Sequence, residues 1–297
     1  TIDPFNPIIR AGKLFGRGSC DAKGQLTAVI VGMEMALEET EGNLPINVCL
    51  AATVDEEHLH RGVDRIVDDR FQADGAVVGE PTEMRLVTAT KGSIRFQIHT
   101  KGKAAHSADP HMGINAIYIM AEVIQAISKV MVPLLKERVH PLCGPATISA
   151  TIIKGGHQVN IVPDDCVLDV DRRLLPGEDW KTAYEEIKQI ILEQVDSQWK
   201  DFVIFDSPYL IDPALETKKD SSIVQAFSRV LKEQREDPRE VGVSFGTDAS
   251  KIALLNIPTV VFGPGSIRQA HTEDEWIKVE EIVKAAEVYK QLILNFH

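Results

Sequence analysis

The sequence predicts an α/β fold: a discontinuous doubly wound domain interrupted by an inserted α+β domain of ferredoxin-like type. Three observations predict it. Short, nearly continuous apolar runs alternate with helical periodicity up to about residue 80, as buried parallel strands and their crossover helices do. At Lys91-Gly92 the pattern changes to strict alternation of apolar and polar residues, the mark of strands solvated on one face. From about Ser221 the first pattern returns. The insert therefore spans 90–209, and the doubly wound domain is assembled from 1–89 and 210–297.

Leu26, Val29, Ile30, Met33 and Ala36 recur at helical spacing over 24–39, so an amphipathic helix opens directly after a glycine-containing turn. Residues 46–54 form a short apolar run that reads as a buried parallel strand. A short helix over 63–67 and a second apolar strand over 75–79 continue the alternation. In the insert, Ile94, Phe96 and Ile98 alternate with Arg95, Gln97 and His99. A long helix (113–131), strands at 147–153 and 166–174, a helix (180–194) and a strand at 202–205 follow. That strand-helix-strand-strand-helix-strand order is the ferredoxin-like one. The last part reads as a helix from about 221, a strand at 241–245, a helix at 249–255, a strand at 259–262 and a final helix over 279–292.

The 297 residues suffice for two domains. With 44 acidic and 32 basic side chains the net charge is −12, which argues against general nucleic-acid or anionic-membrane partners because these need a positive field. Cys20, Cys49, Cys143 and Cys166 are scattered and read as reduced thiols of a cytoplasmic protein. No stretch reads as the ~18 to 20 apolar residues of a membrane span, and no signal-peptide pattern opens the chain. The chain starts at Thr1 rather than at Met, so a longer natural protein is expected.

Acidic residues recur at successive strand ends: Asp21 after the first turn, Asp55-Glu56-Glu57 after residue 54, and Glu80 after residue 79. Carboxyl ends of strands in an open α/β sheet are where ligands gather. Any one of these acids alone is more simply a helix cap. Their recurrence crowds carboxylates at one edge and calls for a cation. His271 follows the Gly263-Pro264-Gly265 turn on the same edge, and imidazole with carboxylates suits zinc. His58 and His60 read as surface loop residues. The Gly16–Gly24 turn lacks the Gly-Lys-Ser/Thr order of a phosphate loop, and His-Glu-x-x-His is absent.

Taken in order, Gly16-Arg17-Gly18 with Asp21 and Lys23-Gly24, then Asp55-Glu56-Glu57, Gly79-Glu80-Pro81-Thr82, Ala105-His106-Ser107 with Asn115-Ala116, and Ala270-His271 resemble the signatures of the acetylornithine deacetylase / succinyl-diaminopimelate desuccinylase family. This metallopeptidase group also holds aminoacylases and glutamate carboxypeptidases. The resemblance runs over essentially the whole chain. It implies a catalytic doubly wound domain and a lid or dimerisation role for the insert.

It further implies two zinc ions, for which cobalt or manganese can substitute. Asp21 would bridge them, Glu57 and His271 would complete one ion and Glu80 would hold the other. Glu56 would be the general base and His106 an oxyanion donor acting across a homodimer. Asn160 and Arg173 match positions that grip a substrate carboxylate, and Thr247 and Asp248 match a substrate-side loop. One departure is plain: the family's upstream His-x-Asp ligand has no counterpart, since no His precedes His58. The second metal site is therefore expected to be impaired in this chain. The expected activity is zinc-dependent removal of an acyl group from an N-acyl amino acid. A dipeptidase or glutamate carboxypeptidase of the same family is the alternative within the class, and a catalytically silent binding or dimerisation module is the alternative outside it.

Overall fold

The computed structural model describes residues 2–58 and 60–296, so Thr1, Leu59 and His297 lie outside it. The chain divides into two compact units. One comprises Thr1–Thr90, Leu215–Val243 and Thr247–His297; the other comprises Lys91–Ala214 and Ser244–Gly246.

In the first unit the Gly24–Glu39 helix forms where the periodicity places it. Its small residues Gly24, Ala28, Gly32 and Ala36 fall at i, i+4 spacing and are buried. This stripe lets the Val279–Asn295 helix approach closely: a Cβ on Gly32 would stand 2.6 Å from the Ala286 carbonyl oxygen. The central sheet is mixed, ordered Leu215–Glu216, Leu86–Thr90, Thr259–Val261, Ala76–Val78, with Glu240–Val243 pairing parallel to Leu86–Thr90. Strand alternation sends Leu86 and Val260 to a core shared with the Gly24–Glu39, Ser222–Glu233 and Val279–Asn295 helices. Val87 and Val261 face the opposite side, against Ala249 and Ala253 of the Asp248–Ala253 helix. Helices on both faces make the sheet doubly wound.

One expectation needs correction here, and two elements went unforeseen. Residues 46–54 form no strand among the described residues, and Leu50 and Val54 are exposed. Apolarity alone does not make a strand: its N–H and C=O groups need a neighbouring ladder, and none pairs with this run. Leu86–Thr90, wholly buried, is a central strand that the pattern did not reveal, because Thr88 and Thr90 interrupt its apolar run. A small antiparallel sheet, Ile8–Arg10, Lys13–Phe15 and Trp276–Lys278, was likewise illegible: three-residue strands carry no measurable period.

The second unit is a five-stranded antiparallel sheet with the path Val203–Phe205, Gly92–Lys101, Asp165–Leu174, Thr147–Gly155, and Leu210–Asp212 also pairing with Gly92–Lys101. Ile94, Phe96 and Ile98 are buried as their alternation requires, and Phe96 meets Tyr184 of the Trp180–Gln194 helix edge-on, with ring centroids 5.0 Å apart. The long helix runs over Ala116–Lys136 with a π-turn at Ile127–Met131. By length and composition it suffices to cross a membrane, with a mean hydropathy of 1.5, against the expectation that no stretch would. Its Ile119, Met120, Val123, Ile127, Met131 and Leu135 form a buried stripe. Asn115 caps it by accepting from the Ile117 and Tyr118 N–H groups.

Candidate metal centre and catalytic residues

Asp21 lies between the Lys13–Phe15 strand and the Gly24–Glu39 helix, in a turn entered through Gly18 at φ 78°. Glu80 follows the Ala76–Val78 strand, and the loop to His271 follows Thr259–Val261. These two strands are parallel neighbours, so their carboxyl ends open at the same sheet edge. Gly263 belongs there because a Cβ would stand 2.6 Å from the Glu80 carbonyl oxygen. Asp55 and His271 adopt left-handed backbone, at φ 68° and 58°, a strained conformation for residues with a Cβ.

The folded chain brings three of the expected ligands together. His271 Nε2 is 2.7 Å from Glu57 Oε1 and 3.3 Å from Asp21 Oδ2, and one donor atom from each of the three lies within 4.8 Å of the others. The Glu57 hydrogen bond raises the His271 pKa. Burial, followed by the Glu57 charge, raises that of Asp21. Glu56 beside them is pushed up to about 7, by burial first and by Asp248 second. Glu80 is buried, and its carboxyl is driven well above the usual range by that burial and then by Glu56, Asp21, Asp248 and Glu57. Carboxylates that raise one another's pKa are poised to receive a cation that offsets their charge. Asp21, Glu57 and His271 are a two-carboxylate, one-imidazole set suited to a catalytic zinc, so these residues fit the expected metal. Glu80 belongs to neither three-residue donor group found among the described residues.

The other group is Glu56, His60 and Asp248. His60 Nδ1 lies 3.0 Å from Asp248 Oδ1, and Thr53 Oγ1 donates to Asp248 Oδ2 at 2.9 Å. His60 is therefore not the surface residue expected: its side chain is only 12% exposed. Asp248 is buried, with its carboxylate directed to Thr53 and His60. Thr247, also buried, caps the Asp248–Ala253 helix, its Oγ1 accepting from the Ala249 N–H. These are the contacts the two residues make within the chain, beside the substrate-side loop that the resemblance assigned to them. Asp55 pairs with Arg61 at 2.7 Å and stands apart from either group.

In the second unit, Ile161 pairs with His106, and the Ser107 N–H donates to the Asn160 carbonyl oxygen at 3.0 Å, so His106 and Asn160 are neighbours. His106 Nδ1 accepts from the Ala108 N–H, which leaves Nε2 as the protonated, donating nitrogen of a neutral ring. Arg173 engages Asp171, with Nε 2.9 Å from Oδ1. Its neighbour Arg172 is the fully buried one, paired with Glu178. Sequence reasoning missed Thr53, His60 and Glu275. A hydroxyl residue, a loop histidine and an acid within an acidic run carry no local signal of the carboxylate or backbone groups they meet.

An open α/β sheet whose loops bring Asp21, Glu57 and His271 together beside Glu56 and the buried Glu80 defines a metal-dependent hydrolase. The chain belongs to the peptidase family M20/M25/M40, whose model matches residues 1–295. It is 31% identical over 291 residues to an acetylornithine deacetylase of Myxococcus xanthus, covering 96% of this chain and 73% of that protein. It is 28% identical over 320 residues to a probable succinyl-diaminopimelate desuccinylase of Staphylococcus epidermidis, covering 98% and 78%. Its fold is similar to the crystal structure of a dinuclear metal-binding M20 peptidase from Bacillus subtilis, with TM-score 0.68, 16% identity and coverage of 92% and 72%. The protein is thus an amidohydrolase of this family with the family's α/β fold.

Proposed function

We propose that the protein removes an acyl group from an N-acyl amino acid, in the manner of an acetylornithine deacetylase or succinyl-diaminopimelate desuccinylase, with divalent zinc as cofactor. The observation that carries this reading is the convergence of Asp21, Glu57 and His271 beside Glu56. Asp21, Glu57 and His271 would hold one ion, and Glu80 with Asp21 would contribute to a second. An ion held there would supply Lewis-acid polarisation of the amide carbonyl and activation of water.

Glu56 takes the proton of the attacking water and returns it to the leaving amine, a role matched by a carboxyl that titrates near neutrality. His106, with Nε2–H free to donate, is assigned to the oxyanion. Arg173 and Asn160 are assigned to the substrate carboxylate, which a planar guanidinium matches with two hydrogen bonds. A homodimer through the second unit is supported by the Thr147–Gly155 strand, which lies at the sheet edge with Ile152 and Ile153 exposed. Cytoplasmic placement is supported by four free cysteines.

Metal analysis combined with hydrolysis of a panel of N-acetyl and N-succinyl amino acids and dipeptides tests the reading. Turnover of acylated amino acids supports it. Cleavage of dipeptides alone transfers the protein to the dipeptidase alternative. Absence of both metal and turnover leaves the silent binding module.

A further inference from the structure

Glu275 lies outside every role assigned above, yet its side chain is 2% exposed and receives four donors. Its Oε1 accepts the N–H groups of Cys20 and Asp21, both at 2.9 Å. Its Oε2 accepts the Gly18 N–H at 2.8 Å and Arg17 Nη1 at 3.2 Å. The strand register explains why this carboxylate is there. Phe15 pairs with Trp276 in the small antiparallel sheet, and the Gly16 N–H donates to the Glu275 carbonyl oxygen at 3.1 Å. The residue before Trp276 is thereby set under the turn that follows Phe15.

We propose that Glu275 is a positioning residue of the metal centre, locking the Gly18–Asp21 turn to the loop that carries His271. Asp21 and His271 come from opposite ends of the chain, and a shared ion needs their donor atoms held in one geometry. Glu275 stands four residues after His271 and holds the Asp21 backbone directly. It therefore ties the two ligands through a single side chain. A carboxylate suits the task because all four partners are donors; an amide would turn its own N–H₂ toward some of them. Residues behind metal ligands that fix their orientation typically govern metal affinity about 10- to 100-fold.

The assignment rests on the reading of Asp21 and His271 as ligands, and the experiment separates the two. The full chain is stripped of metal and titrated with Co(II), read by calorimetry and by visible absorption of the bound ion. Failure of the unaltered chain to bind Co(II) refutes the ligand reading itself. With binding established, Glu275→Gln is expected to weaken Co(II) binding about 10- to 100-fold and to alter its absorption bands. Asp179→Ala, which removes a helix cap in the second unit, is expected to lower thermal stability while leaving both Co(II) readouts unchanged. A folded Glu275→Gln or Glu275→Asp protein with unaltered affinity and spectrum would overturn the proposal. Loss of the folded state in both variants would overturn it as well, making Glu275 a folding residue.

Discussion

Replacing Asp248 by Ala tests whether this buried acid is structural. Its carboxylate accepts from Thr53 and faces His60, with side-chain exposures of 12% for His60 and 6% for Asp248. Truncation strips both partners of that acceptor; exposed Thr53 can turn to water, whereas His60 loses a bond that solvent reaches poorly. Losing a hydrogen bond to a largely buried carboxylate costs about 1–3 kcal/mol. The His60 side dominates and the two losses share one carboxylate, so about 2–3 kcal/mol is expected. In a unit of this size each 1 kcal/mol lowers Tm by roughly 2–4 °C, which predicts a drop of about 4–12 °C. Differential scanning calorimetry of the metal-free chain measures it. Thr53→Val and His60→Asn, alone and combined with Asp248→Ala, form cycles that should show non-additivity of at least about 1 kcal/mol. A stable Asp248→Ala protein, within about 1 kcal/mol of the parent, would refute the reasoning and return Asp248 to the substrate side.

Glu56→Gln should retain metal while kcat falls at least about 100-fold, measured by metal analysis and steady-state hydrolysis; near-normal turnover removes Glu56 from the mechanism. Without metal, Glu56 titrates at about 7 and Asp21 and Glu80 are also raised, so the folded chain holds protons that the unfolded chain releases in the ordinary carboxylate range. His271, raised as well, contributes stability that is lost as pH rises through its folded pKa. Both effects have the same sign: Tm of the metal-free chain should fall as pH rises from about 4.5 through 7, and saturating zinc should flatten the fall, which thermal melts with chelator and with zinc compare directly. Ile152→Lys with Ile153→Lys should shift the protein from dimer to monomer in sedimentation velocity, and a monomeric parent would remove the dimer from the proposal.

Much of this protein is legible in its sequence because the signals are local. Helical spacing at Leu26, Val29 and Met33, two-residue alternation at Ile94, Phe96 and Ile98, and the change of pattern at Lys91-Gly92 each arise from one element burying one face. The proposed ligands Asp21, Glu57, Glu80 and His271 stand out for a related reason. Each follows an apolar run or a glycine turn, and their recurrence at such positions is visible without knowing where they meet.

What depends on partners distant in sequence was decided by tertiary structure alone. Residues 46–54 carry the composition of a strand but have no ladder neighbour among the described residues. Leu86–Thr90 is a central strand because the Thr259–Val261 and Glu240–Val243 strands pair with it, whatever its own threonines suggest. Of two adjacent arginines, pleat alternation buries Arg172 against Glu178 and leaves Arg173 on the open face. His60 is turned inward and half-buried because Asp248, 188 residues away, meets its ring. Glu275 sits beneath the Asp21 turn because Phe15 pairs with Trp276. Pattern in a sequence records which face of an element is buried; which groups meet there is set by strand register and helix packing, and these exist only once the chain has folded.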